Sequence, residues 1–190
     1  MTNAERQVMQ EKILNADDEL MQLILLTVVR WFNKRALGNP FNYNRAFEWL
    51  QAKLLNFKLL PVGGGSDGIN EYDITAEFKA TVEKGLTKKG VPKQHSWAYN
   101  GTSRFPDLEK QIEYCTQKIM RDQYHYLSII NYDTGKFVTT LKAPNETVLE
   151  ILLPKWVTSW KKSPNRKDPR IGGSVTTKDL IGKDYEKLVH

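Results

Sequence analysis

Between Pro106 and Pro154 the hydrophobic period changes twice, and that change limits the chain more than any other feature. Leu108, Ile112, Cys115 and Ile119 recur at intervals of four, three and four, which places them on one face of a helix. Pro106 suits the start of that helix, because its missing N–H would have had no partner in the first turn. From Tyr124 the sequence becomes Tyr-His-Tyr-Leu-Ser-Ile-Ile-Asn-Tyr, the aromatic and β-branched composition of a half-buried strand. Asp133-Thr134-Gly135-Lys136 supplies turn chemistry, and Phe137 to Leu141 resumes a strand. A helix followed by a hairpin is therefore expected, and with it an α+β fold.

The rest of the chain reads around that unit. Glu5 to Leu14 predicts a short helix, and Asp17-Asp18 caps a second that runs to about Arg35. In that second helix Leu20, Ile24, Val28 and Trp31 form a stripe, widened by Leu23, Leu25, Leu26, Val29 and Phe32 to nearly the whole circumference. Such a helix is expected to be central and covered on several sides, with an exposed dimerisation face as the alternative. Gly38-Asn39-Pro40 ends it, Asn42 or Asn44 caps the next, and Phe47, Leu50, Leu54 and Phe57 mark that helix's apolar face. Pro61 to Gly68 breaks regularity, and no Lys follows its glycines at the spacing of a phosphate-binding loop. Asp73 or Thr75 opens a further expected helix, with Phe78, Val82 and Leu86 four apart and Lys84, Lys88, Lys89 and Lys93 at its basic exit. Val91 to Phe105 is irregular and aromatic, a loop pinned to the core by its rings. Thr147 to Leu153 favours a third strand, although Asn145 would equally cap a short helix ended by Pro154.

These readings combine into an α+β domain over residues 1–154, with three or four helices around the central apolar helix at about 17–35. A small antiparallel sheet is expected over about 124–153, and residues 155–190 read as an extended basic C-terminal arm. Charge supports that division. Residues 1–154 carry 19 Lys and Arg against 18 Asp and Glu, whereas residues 155–190 carry 9 against 4, so most of the net +6 lies at the end of the chain. The single Cys115 cannot form an internal disulfide, the N-terminus lacks a secretory pattern, and no apolar run reaches the roughly 20 residues of a spanning helix. A soluble cytoplasmic protein without a membrane partner is expected. The motifs at Asn100-Gly101-Thr102 and Asn145-Glu146-Thr147 are then turn residues.

Chemistry-bearing motifs are sparse. One Cys and three His at unrelated positions give no zinc pattern, no G-x-S-x-G elbow occurs, and no cofactor is called for. Cys115 with His125 or His95 would make a nucleophile and base, but Cys115 falls on the apolar face of its helix, where a cysteine packs as a small hydrophobe. The order Gln111-Ile112-Glu113-Tyr114, Asp122, Ile129-Ile130 and Ala143-Pro144 resembles the middle of thymidylate synthases and the related deoxycytidylate hydroxymethylases. In that family an arginine pair that binds phosphate precedes the first strand, and the nucleophilic cysteine follows the proline. Here those places hold Tyr126-Leu127 and Asn145, so the resemblance implies a catalytically dead relative.

The expected function is non-enzymatic: nucleic-acid binding or replication support by the basic arm. Lys155, Lys161, Lys162, Arg166, Lys167 and Arg170 would contact phosphate, and Trp156 and Trp160 would stack on bases. A winged-helix reading of the helix from Pro106 is opposed by Asp107, Glu109 and Glu113. The alternative partner is an acidic protein, with the chain as a structural or assembly component of a particle such as a virus or phage.

Overall fold

The computed structural model describes residues 1–41, 45–63, 65–83, 93–102, 105–131, 134, 136–162 and 170–189. The chain divides into two compact units, Met1–Ala46 and Phe47–His190.

The first unit is built on two helices. Helix α1 (Asn3–Leu14) opens with a capping box in which Thr2 and Glu5 satisfy each other's backbone N–H groups. Helix α2 (Asp18–Lys34) is capped by Asp17, whose side chain accepts from the N–H of Leu20. Neither helix buries much: α1 has no buried residue and α2 has only Phe32. The unit closes through Ala36 and Gly38, both at positive φ, and through the buried Arg45, whose Nε donates to the Leu37 carbonyl at 2.7 Å.

The second unit is an α+β layer structure. Helix α3 (Arg45–Leu54) leads into β1 (Lys58–Leu59), β2 (Gly68–Ile69) and β3 (Thr75–Val82). After β4 (Ser96–Tyr99) come α4 (Leu108–Met120), β5 (Tyr124–Ile130), β6 (Phe137–Pro144) and α5 (Asn145–Lys162), then β7 (Gly173–Thr176) and β8 (Glu186–Val189). Six strands form one mixed sheet in the order β1-β2-β3-β5-β6-β8, and β4 pairs with β7 in a small sheet. Only β3 and β5 run parallel in the large sheet, with Glu77 opposite His125 and Lys79 opposite Leu127. A parallel pair needs a long crossover, and the segment carrying β4 and α4 provides it.

Each face of the sheet has its own cover. On one side Cys115 and Ile119 of α4 and Val148, Ile151, Leu152 and Trp156 of α5 pack with Leu127 and Leu141 of the sheet and Trp97 of β4. On the other, Phe57, Phe78 and Tyr126 stack edge to face at 5.4–6.0 Å between ring centres. Gln51 of α3 ties the helix to this side, its amide donating to the Tyr126 carbonyl at 2.8 Å and to Ser128 Oγ at 2.6 Å.

The helix expected from Pro106 and the hairpin after it are present, with Asp107 as the cap that bonds the Lys110 N–H at 2.8 Å. The hairpin lies inside a larger mixed sheet instead of forming a small antiparallel one. Its turn residues Asp133 and Gly135 lie outside the described residues, as do the expected caps Asn42 and Asn44. Thr75–Val82 is a strand, not a helix, because β2 and β5 claim it from both sides. Residues 145–162 are one helix, so the strand favoured for 147–153 gives way to its alternative, and Lys155 to Lys162 continue that helix instead of running extended. Interior Pro154 costs a helix about 3 kcal/mol, and the burial of Trp156 two residues later, 2% exposed, offsets that cost. The leucines of α2 are not covered: Leu20, Leu23, Leu25 and Leu26 are all exposed.

Trp156 therefore serves the core. Replacing it with Ala is expected to reduce unfolding free energy by about 3–5 kcal/mol in urea titration, whereas a loss below about 1 kcal/mol would contradict its enclosure.

Candidate active site

Strand alternation in β3 puts Glu77 and Lys79 on the same face, away from Ala76 and Phe78. Their side chains form an ion pair through Glu77 Oε1 and Lys79 Nζ. A third group arrives from the loop before β2. The Asp67 carbonyl accepts from Leu60 N at 2.8 Å, its N–H donates to the Ala76 carbonyl at 3.0 Å, and its Oδ2 accepts from the Phe78 N–H at 2.8 Å. Asp67 is thus fastened to β3 at the residue lying between Glu77 and Lys79. The following Gly68 is required by packing, since a Cβ there would meet the Phe78 ring at 2.7 Å.

Electrostatics sets the two carboxylates apart. Burial, followed by the negative charges of Glu77 and Glu48, pushes the Asp67 carboxyl up to about 8. Burial acts upward on Glu77 too, but the Lys79 ammonium outweighs it by charge and hydrogen bond and holds that carboxyl below its ordinary value. For Lys79, burial acts downward, while Glu77, Asp67 and Glu48 outweigh it and raise the ammonium. Two acids with opposed titration beside one cation are the arrangement expected where a site divides charged and neutral roles.

A second layer surrounds them. Asp122, at the turn before β5, is 0% exposed. Its Oδ2 lies 3.4 Å from Arg121, while its Oδ1 has no hydrogen-bond partner among the described residues. Burial raises the Asp122 carboxyl, and Ser66 of the Asp67 loop and the charge of Glu77 both act on it. Arg121 also reaches to 4.0 Å from Glu77. Below the pair, His125 is buried and its ring is pushed down to about 4 by desolvation, so it stays neutral. Its Nε2–H donates to the Ile119 carbonyl at 3.3 Å, which leaves Nδ1 to accept from the Tyr99 hydroxyl at 3.1 Å. The Lys79 ammonium lies 5.5 Å over the Tyr99 ring. Glu77, Lys79, Tyr99, Asn100, Lys118 and His125 line an adjoining cavity of about 110 Å³.

No three His, Cys, Asp or Glu groups converge as a metal-binding set among the described residues. What the described residues offer an oxygen-seeking cation is Glu77 in the wall of the cavity and Asp67 fastened to the neighbouring residue of β3. That donor set fits a hard, oxygen-seeking cation such as Mg²⁺, which takes one or two protein carboxylates and leaves its other positions to water and substrate oxygens.

The residues expected to bind nucleic acid, so far as they are described, lie along α5 and at the start of the segment that follows it. Lys155 is engaged at home, 2.5 Å from Asp179 and 2.6 Å from the Ser174 carbonyl. Trp156 is enclosed, and Trp160 packs partly buried against the core. Lys161, Lys162 and Arg170 are exposed, and Arg166 and Lys167 lie outside the described residues. Cys115 is buried and burial pushes its thiol up, the opposite of nucleophile activation. Sequence reasoning missed Asp67, Glu77 and Lys79 because a helical reading of 75–86 turns positions 77 and 79 about 200° apart, whereas a strand aligns them. No family model matches the chain, and no match was found among the curated proteins.

The raised Asp67 carboxyl has a defined consequence for stability. Its folded value of about 8 exceeds the ordinary 3.8, so the native state holds a proton that the unfolded chain has released. Stability from this group is full below pH 3.8 and lost as pH rises to about 8. Asp67→Asn is expected to flatten that decline, so the Tm difference between variant and parent grows across the window in metal-free buffer. A difference independent of pH would contradict the assignment.

Proposed function

We propose that this protein is a divalent-cation-dependent hydrolase of phosphodiester bonds in nucleic acid. The observation that carries the reading is the two carboxylates fixed on β3, Glu77 ion-paired with Lys79 and Asp67 bonded to the N–H of the intervening Phe78. Asp67 and Glu77 would hold the cation, and the cavity lined by Glu77 and Lys79 has room for a phosphate group. When bound, the cation supplies charge stabilisation at the phosphoryl oxygens and makes water a better nucleophile at neutral pH. Burial, then the charges of Glu77 and Glu48, keeps a proton on Asp67, and a cation bound there would displace that proton.

The remaining work falls to the chain's own groups. Lys79 presents a permanent positive charge next to the carboxylates, where it attracts the scissile phosphate and stabilises the charge that builds up as water adds. Water adds to phosphorus, the bridging P–O bond breaks, and the departing oxygen takes up a proton. Tyr99 and His125 fix the floor of the cavity, and desolvation keeps the imidazole neutral, so it does not compete as a cation. The buried, unpaired Oδ1 of Asp122 adds negative potential beside Glu77. Exposed Lys161 and Lys162 would hold flanking phosphates. This reading keeps the nucleic-acid partner expected from the charge distribution, but moves the function from the C-terminal residues to the sheet and makes it enzymatic.

Incubation with single- and double-stranded DNA and with RNA, in Mg²⁺ or Mn²⁺ against EDTA, tests the proposal. Cleavage is expected only with the cation, and Glu77→Gln and Lys79→Ala should each lower kcat by about 10²-fold or more. Cleavage undiminished in EDTA or in Glu77→Gln would overturn it, as would the absence of cleavage on all three substrates. Reversing Lys161 and Lys162 to Glu should raise KM with kcat unchanged and reduce the salt dependence of binding by about one to two phosphate contacts.

A further inference from the structure

Helix α2 leaves an apolar belt open between charged ends. Leu20, Leu23, Leu25 and Leu26 are between 43% and 59% exposed, and α1 adds exposed Val8, Met9 and Leu14. Single exposed leucines are ordinary, but a contiguous run of this size on helices that bury one residue between them is characteristic of an interaction surface. A twelve-residue helix such as α1 is also marginal in water without a packed face.

The occupant is indicated by charge. Asp17, Asp18 and Glu19 stand at the N-terminal end of α2, and Arg30, Lys34 and Arg35 at its C-terminal end. The helix dipole accounts for the sign at each end, but not for the apolar belt between them. Taken together, acid, leucines and base in that order make a surface complementary to itself when a second copy is laid on it antiparallel. Set with Leu23 against Leu26 of the second copy, such a pairing brings Glu19 opposite Arg30, both exposed and both on the helix face that carries Leu20, Leu23 and Leu26 at 100° per residue. A parallel pairing would instead bring like charges together at both ends.

We infer that α2 is the contact of a twofold symmetric homodimer, with two antiparallel α2 helices packed through Leu20, Leu23 and Leu26. The partner is a second copy of this chain. The inference is independent of the hydrolytic reading, since it uses no residue of the Asp67–Glu77–Lys79 site.

Sedimentation equilibrium and light scattering of the full chain at micromolar concentration test it. The mass is expected to be twice the 22.0 kDa of one chain. Glu19→Lys and Arg30→Glu should each weaken the dimer by about tenfold or more, and the two together should restore it to within about threefold, because the antiparallel pairing then regains opposite charges. Leu23→Glu with Leu26→Glu should give a monomer whose circular dichroism still reports the second unit folded. A wild-type mass of 22.0 kDa at these concentrations would overturn the proposal. So would a double charge swap no better than the single ones, or a monomer that instead sediments with phosphatidylcholine–phosphatidylglycerol vesicles.

Discussion

The Glu77–Lys79 ion pair on β3, with Asp67 bonded to the N–H of the intervening Phe78, is the interaction on which the second unit's chemistry depends. Burial penalises all three charges, and the cation relieves one acid, Glu77, more than the other. Asp67, buried and facing the charges of Glu77 and Glu48, keeps its proton to about pH 8, although its bond to the Phe78 N–H acts the other way. The arrangement is destabilising for an isolated fold, since apolar groups of similar volume would pack there at lower cost. Local sequence does not relieve it either: Gly68 is held small by the Phe78 ring, so the loop cannot withdraw Asp67 without losing its bonds to β3.

The scaffold around this cluster is built to hold it still. Parallel pairing of β3 with β5 puts Glu77 beside His125 and Lys79 beside Leu127. Helices α4 and α5 cover that face, while Gln51 and the Phe57–Phe78–Tyr126 rings clamp the opposite one. Even the C-terminal segment contributes, because Lys155 spans from α5 to Ser174 and Asp179 and β8 extends the sheet beyond β6. A neutral His125 follows from the same burial. It donates from one nitrogen and accepts at the other, and it brings no extra positive charge to the floor of the cavity.

Helix α4 and the β5–β6 hairpin were legible because their signals are local: a cap at Asp107, a four-three-four spacing, then a run of aromatic and β-branched residues. Strand β3 was not, because Phe78 and Val82 stand four apart and satisfy both a helical period and an even strand period. Neighbours remote in sequence decide between them, Gly68–Ile69 on one side and Tyr124–Ile130 on the other. The site went unread with it, since its acids become a pair only when β3 is extended and the Asp67 loop is folded against it. Pro154 misled for a related reason: local propensity ends a helix there, whereas enclosure of Trp156 carries the helix on. Charge counting located the excess of cations correctly but could not show that Lys155 is answered by Asp179.

The most direct measurement is calorimetric titration of Mg²⁺ or Ca²⁺ into the full chain at pH 7 in two buffers of different ionisation enthalpy. If Asp67 and Glu77 form a cation site, binding must strip the proton that burial and repulsion keep on Asp67. The two heats should then differ by about one buffer ionisation per cation bound, and Asp67→Asn should remove that difference. Absence of binding, or heats that are the same in both buffers, would contradict the account.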